Sequence, residues 1–207
     1  MPLSLFDVLK ASTQGGGLVP STDSQARITL ETDEAPLYEF RVRDAQAFYR
    51  SPDTGQWNAI IGDQQDAGWV ITLTQKRLLV WSPLSPGLMG MGQMKLKSGK
   101  ATGGHVRYNW VDEIMRDGAL NLCFMVDRKP EERIKSMMLS LDFADTAQAH
   151  NFCVSLADLL VGFQEPRSAD LEKLAPELDK LRNAEWSTRG DLKLSLLKAG
   201  AKVDYAP

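Results

Sequence analysis

The sequence predicts an α+β fold: an antiparallel β-barrel of about seven short strands, capped by one C-terminal amphipathic helix and followed by a helical tail. Three observations carry this reading. Residues 68–81, GWVITLTQKRLLVW, read as two strands meeting at a tight polar corner. Strand-like runs recur between residues 37 and 143. After Asp145 the apolar period lengthens to that of a helix, with Phe152, Leu156, Leu159, Leu160 and Phe163 on one face.

In chain order, residues 3–10 fit a short helix through Leu3, Phe6 and Leu9, stopped by Gly15, Gly16, Gly17 and Pro20. Residues 27–32 alternate and read as a short strand. Alternation is cleaner in residues 37–43, where Leu37, Glu39, Arg41 and Arg43 share one face and Tyr38, Phe40 and Val42 the other. Ser51, Pro52, Asp53, Thr54 and Gly55 mark a turn, and residues 58–61 another short strand. Pro83 and Pro86 end the 77–81 strand, because proline cannot donate to a ladder.

Residues 87–104 are rich in glycine, methionine and lysine, show no period, and read as a long mobile loop. Strands resume at 105–111, 120–126 and 137–143. Asp145 or Thr146 is placed to cap the helix over 145–163, and Gly162 and Pro166 mark its end. Two shorter helical stretches follow, at 169–183 with Pro176 inside it and at 191–201. The chain thus divides into a short helix and flexible joint (1–25), the barrel (26–165) and a helical tail (166–207).

With 207 residues, 43% of them hydrophobic and 25% charged, the chain can build a core without disulfides or metal. Cys123 and Cys153 each lie in an apolar segment and read as core thiols, which fits a reducing compartment. The first ten residues lack the basic start and apolar run of a signal peptide, and no apolar stretch approaches the roughly 20 residues of a membrane span. The expected location is cytoplasmic, extending to peripheral attachment at the inner membrane surface.

Charge distribution is the most informative feature. Residues 67–111 contain six basic side chains (Lys76, Arg77, Lys95, Lys97, Lys100 and Arg107) and no aspartate or glutamate. The whole chain carries −3, so the remainder carries −9. Lysines near an anionic bilayer contribute about 1 kcal/mol each. Lys95, Lys97, Lys100 and Arg107 are therefore the candidate ligands for anionic lipid or phosphate. Leu88, Met89, Met91 and Met94 are the candidate membrane contacts. The plainer alternative is a solvated loop whose lysines keep it soluble.

Other chemistries fit poorly, and neither cofactor nor metal is expected. The glycines at 87–92 and the Lys97–Thr102 run miss the Walker pattern, with Met94 and Ala101 at positions that need glycine and Ser/Thr. His105 and His150 lack the neighbours of a metal site. Cys153 and His150, three apart on the helix, are the nearest approach to a nucleophile–base pair, without an orienting third group. Tryptophans 57, 69, 81 and 110 read as core or rim packing, while Trp186 is placed to dock the tail. Nucleic acid is not an expected partner of an acidic chain without aromatics interleaved in its basic loop.

Several short strands followed by one amphipathic helix is the order of a pleckstrin-homology-like barrel. Residues 68–81 resemble the hairpin of GRAM and bacterial PH-like domains. Trp110-Val-Asp-Glu-Ile114 resembles the strand that follows their middle loop, and residues 137–163 resemble their last strand and capping helix. The match covers residues 35–163. The resemblance implies a binding module for phosphoinositides, other anionic lipids or proteins. Its usual clustered basic motif on the first hairpin is replaced here by Arg41, Arg43 and Arg50 with acids between. The first expectation is accordingly a non-catalytic intracellular adaptor that binds protein or peptide at an exposed strand edge, with weak anionic-membrane association. The second is a lipid-recognition module acting through residues 87–107, and the third a hydrolase.

Overall fold

The computed structural model describes residues 29–51, 53–59, 69–81, 103–117, 119–125, 136–165, 170–184 and 192–204. In chain order the strands are β1 (Pro36–Val42), β2 (Asp44–Arg50), β3 (Trp57–Ala59), β4 (Trp69–Thr74), β5 (Arg77–Trp81) and β6 (Gly103–Arg107). A 3-10 turn at Tyr108–Trp110 leads to β7 (Val111–Asp117), β8 (Ala119–Met125) and β9 (Ser136–Asp142). Helices α1 (Thr146–Gln164) and α2 (Leu171–Arg182) follow, then β10 (Leu192–Ser195).

All described strand pairings are antiparallel. The first sheet has the order β1-β4-β5-β6 and the second β10-β7-β8-β9-β2-β3. The chain passes between sheets three times, at Arg43 between β1 and β2, between β3 and β4, and through the 3-10 turn between β6 and β7. At the first corner the Arg43 amide donates to the Asp142 carbonyl at 2.8 Å, and its guanidinium grips the Asp142 carboxylate.

Among the described residues the sheets do not close into a barrel; the resemblance to PH-like domains implies a partly open one with the helix plugging one end. The two sheets share these corners, but no ladder among the described residues joins their remaining edges. The outer edge of β7, where a closing strand would add, is already taken by β10.

Hairpin β4–β5 matches the sequence reading residue for residue, because its apolar density is high enough to bury every described side chain of β4. Strand β1 keeps its expected faces from Glu39 onward, with Phe40 and Val42 buried and Glu39 and Arg41 exposed. Tyr38, expected on the face of Phe40, is instead exposed where the register shifts between Pro36 and Tyr38. Between them the sheets hold one core, including Phe40, Trp69, Ile71, Leu73, Tyr108, Trp110, Ile114 and Leu141.

Helix α1 starts where its cap predicts, with the Asp145 side chain accepting from the Ala147 amide at 2.9 Å. Phe152 meets Phe40 edge-on at 5.3 Å, and Phe163 meets Tyr108 at 6.0 Å, so the helix spans from β1 to the 3-10 turn. Helix α2 runs through Pro176, which stays exposed, and buries Leu174, Leu178 and Leu181.

Four local readings are corrected. The strand expected at 105–111 is broken: β6 ends at Arg107, Tyr108–Trp110 form the 3-10 turn, and β7 begins at Val111. Residues 191–201 are not helical: Leu192–Ser195 form β10, followed by a turn in which Gly200 has φ +92°. Leu192, Leu194 and Leu196 alternate with period two, and the open edge of β7 supplies the hydrogen bonds that an isolated helix would have made internally. Residues 29–31 are not a strand but lead into a turn at Thr32 and Asp33, the latter at φ 59°, closed by the Glu34 amide on the Glu31 carbonyl. Strand β2 was not anticipated, since its sequence DAQAFYR has little apolar alternation. The predicted helix at 3–10, and all of the 87–104 loop except Gly103 and Gly104 of β6, lie outside the described residues.

Candidate functional site

The outer face of the first sheet carries a cluster of charged and polar side chains at the β4–β5 corner. Residue alternation decides its membership. Ile71, Leu73, Leu78, Val80 and Val106 point into the core, so Thr74, Arg77, His105 and Arg107 point to the opposite face. There they meet Glu31 and Glu34, carried by the turn that precedes β1.

Arg77 grips Glu34 in a two-pronged bond, Nε to Oε1 at 2.9 Å and Nη2 to Oε2 at 2.8 Å. The two side chains are 3% and 0% exposed. Thr74 donates its hydroxyl to Glu34 Oε1 at 2.8 Å, and the Glu31 amide donates to Oε2 at 2.7 Å. A buried charge pair is tolerated only when such bonds satisfy its remaining lone pairs, and here they do. Arg77 Nη2 also reaches the Thr29 carbonyl at 3.2 Å, and Arg107 pairs with Glu31. Beneath the cluster the Tyr108 hydroxyl donates to the Thr74 carbonyl at 2.7 Å.

Burial alone would raise the Glu34 carboxyl, but the bonds from Arg77, Glu31 and Thr74 outweigh it and hold the group at about 2. Burial, then the Arg77 charge, lowers His105 to about 4, so its ring is neutral at pH 7. Its Nδ1 lies 2.7 Å from Arg77 Nη1 and must accept that proton, which leaves the ring hydrogen on Nε2. Nε2 is buried and has no hydrogen-bond partner among the described residues, and the ring sits 5.4 Å from that of Trp110. Burial also drives the Tyr108 hydroxyl upward, fixing it as a neutral donor.

This arrangement is a clamp. It pins the 29–35 turn across the hairpin corner and leaves no cation of the pair Arg77 and Arg107 without a carboxylate. Of the six basic residues of the 67–111 span, these two are neutralised, and Lys76 donates to the Thr32 carbonyl. Lys95, Lys97, Lys100, Leu88, Met89, Met91 and Met94 lie outside the described residues. Sequence reasoning missed Glu31, Glu34 and Tyr108 as members, because their partners lie 31 to 76 residues away. The available signal was the phase of Arg77. It follows the corner inside an apolar strand, with no acid nearby to serve as its partner.

The nucleophile–base pair offered by the sequence does not assemble. Cys153 is fully buried, and burial pushes its thiol upward, away from the reactive thiolate. His150 is exposed. Among the described residues no group of three or more metal-ligating side chains comes together, and no helix is long and apolar enough to cross a membrane.

A second site is defined by main chain. Along the outer edge of the second sheet, β10 pairs with β7 from Leu192 opposite Arg116 to Ser195 opposite Glu113. The Leu196 amide then bonds the Asp112 carbonyl at 2.8 Å, and the Asp204 amide the Asn109 carbonyl at 2.7 Å. Leu194 and Leu196 are 0% and 2% exposed, so the tail is part of the core. Strand β1 is different. It pairs with β4 on one side, and no described strand lies along the other. Leu37 and Tyr38 are 48% and 47% exposed there, and the Arg41 amide is held only by the Gln148 side chain at 3.3 Å.

No family model matches the chain, and no curated protein matches it. Among solved structures it is similar to a Vps36 N-terminal PH domain, at 12% identity and a TM-score of 0.41, over 70% of this chain and 92% of that one.

Proposed function

We propose that the chain is a non-catalytic binding module of PH-like type, which takes an extended protein segment along the outer edge of β1. The observation that supports this is the contrast between the two edges. The β7 edge is filled by the protein's own β10, whereas β1 presents main-chain groups beside exposed Leu37 and Tyr38. An added strand gains affinity from main-chain pairing and selectivity from alternate side chains. The order of strands followed by a closing helix accords with the PH-like reading. The test replaces Leu37 with a photo-crosslinking residue in cells and compares it with the same residue at exposed Glu172 on α2. Adducts specific to position 37, mapped by mass spectrometry to an extended peptide, support the reading. Adducts no more frequent than at position 172 overturn it.

A second reading rests on the acid-free span. Lys95, Lys97 and Lys100 would contact anionic lipid, with Leu88, Met89, Met91 and Met94 dipping into the interface at the inner membrane surface. Arg107 joins them only by leaving Glu31. Co-sedimentation with anionic but not neutral vesicles, lost on Lys95/Lys97/Lys100→Ala, supports this contact. Absence of binding at low salt removes it.

A further inference from the structure

We infer that the segment accepted by β1 is β1 of a second copy of this chain, paired antiparallel about a two-fold axis at Phe40. This rests on the reading of β1 as a strand acceptor and names its partner.

The argument starts from which groups point outward. The Arg41 amide bonds Gln148 and so does not face β4. Main-chain groups alternate along a strand, so Glu39 and Arg41 present their amides and carbonyls to the open side, while Phe40 and Val42 serve the β4 ladder. The side chains of Glu39 and Arg41 both stand exposed on the outer face. An isologous pair requires each strand to match itself reversed.

Three axis positions place outward main chain opposite outward main chain. With the axis at Glu39 two carboxylates face each other, and with the axis at Arg41 two guanidinium groups do. With the axis at Phe40, Glu39 of each copy lies opposite Arg41 of the other, giving two opposite-charge pairs in the hydrogen-bonded positions. Like charges directly opposite are destabilising and unlike charges stabilising, so the sequence of β1 selects this register. Pro36 and the register shift between Pro36 and Tyr38 end the ladder on one side, and Arg43, turned into the second sheet and bound to Asp142, ends it on the other. These stops confine pairing to a short, defined stretch, so a closed dimer forms and not an open stack. The 3.3 Å bond from Gln148 is a long one, which the carbonyl of the incoming strand replaces.

Charge reversal tests this, because the symmetry makes a specific demand. Glu39→Arg alone, or Arg41→Glu alone, turns both cross-strand pairs into like-charge pairs, whereas the double variant restores them with exchanged sign. Sedimentation velocity of the full chain over a concentration series at low salt should show a reversible dimer for the wild type. Each single variant should weaken association by about tenfold or more, and the double variant should recover it. Circular dichroism checks that all four proteins are folded. A wild type that stays monomeric throughout, or single variants that associate as the wild type does, overturns the inference. Crosslinks from position 37 to a different protein, with a monomeric wild type, would overturn it while leaving the strand-acceptor reading intact. Absence of specific crosslinks removes both.

Discussion

Arg77 and Glu34 are 43 residues apart in sequence, yet their side chains form a two-pronged pair that is almost completely withdrawn from water. The pair joins the corner of the central hairpin to the turn leading into β1. The entry of the first strand is therefore set by electrostatics, while the strand's own inner face is set by Phe40 and Val42.

Removing one partner should expose the cost of burying the other. Glu34→Ala strips the buried Arg77 cation of its two-pronged partner and leaves it only Glu31, 3.5 Å away and shared with Arg107. The expected loss is about 3–5 kcal/mol in urea unfolding. Adding Arg77→Met to Glu34→Leu, which removes both charges, should recover most of it. A loss below about 1 kcal/mol for Glu34→Ala would put the pair with exposed ion pairs and refute its role as a clamp.

Among the described residues His105, Glu34 and Asp112 are the strongly shifted groups that titrate on the acid side of neutrality, and their signs differ. Glu31, beside Glu34, is lowered as well. His105 is held at about 4 against an ordinary 6.5, so its contribution is complete above 6.5 and is lost as pH falls toward 4. Glu34 is held at about 2 against 4.5, so its contribution disappears between 4.5 and 2. Asp112 runs the other way. Burial and then the neighbouring Glu113 raise it to about 6 from 3.8, so it destabilises the fold above 6 and ceases to do so as it protonates in the folded state. His105 and Asp112 thus oppose each other between about 6 and 4. Stability should be nearly flat there and fall steeply below 4. Asp112→Asn removes one side of the balance, and its stability should then decline from pH 6 to 4 by up to about 1.4 kcal/mol per unit. Urea titrations at half-unit intervals measure this, and a flat profile in the variant would dismiss the opposition.

The parts of the fold legible in the sequence are those where side-chain period and burial agree. Strands β4 and β5 and the helix α1 have both signals, and their boundaries match expectation closely. Strand β2 was invisible because only Ala45 and Tyr49 of its seven residues are buried, and its pairing is supplied by β9 and β3. Residues 192–195 had the alternation of a strand, but the leucines at 192, 196 and 197 also fit a helix face. The edge of β7, about 80 residues earlier, decides between them. The clamp was the least legible feature, since a charge count over 67–111 shows cations without partners. Glu31 and Glu34 lie outside that span and are brought in by the turn at Asp33.

Two glycines with positive φ separate backbone strain from crowding. At Gly55, φ is +68° and an added Cβ meets nothing within 4 Å, so Gly55→Ala should cost only the left-handed penalty of about 1–2 kcal/mol. At Gly200, φ is +92° and the added Cβ would lie 2.7 Å from Asp170 Cβ, beside the amide that bonds the Gly200 carbonyl. Gly200→Ala should therefore lower stability clearly more than Gly55→Ala in parallel thermal melts. Equal shifts would mean that the contact between the turn after β10 and the start of α2 relaxes freely.

The tail gives the last expectation, because its burial decides whether it can act as a removable cover. Leu194 is 0% exposed, and Gln164 of α1 holds Lys202 through both its amide atoms, accepting at 2.9 Å and donating at 3.4 Å. A strand that merely masked a binding edge would detach at small cost. This one should not: Leu194→Ala is expected to lose about 2–5 kcal/mol, as for other fully buried leucines. Deleting residues 192–207 uncovers both the β7 ladder and the apolar side chains beneath it, so the shortened chain should unfold at lower urea and aggregate through the bare edge. If it instead stays monomeric with undiminished stability, the β7 edge is a docking site guarded by β10, and the contrast that favours β1 as the acceptor disappears.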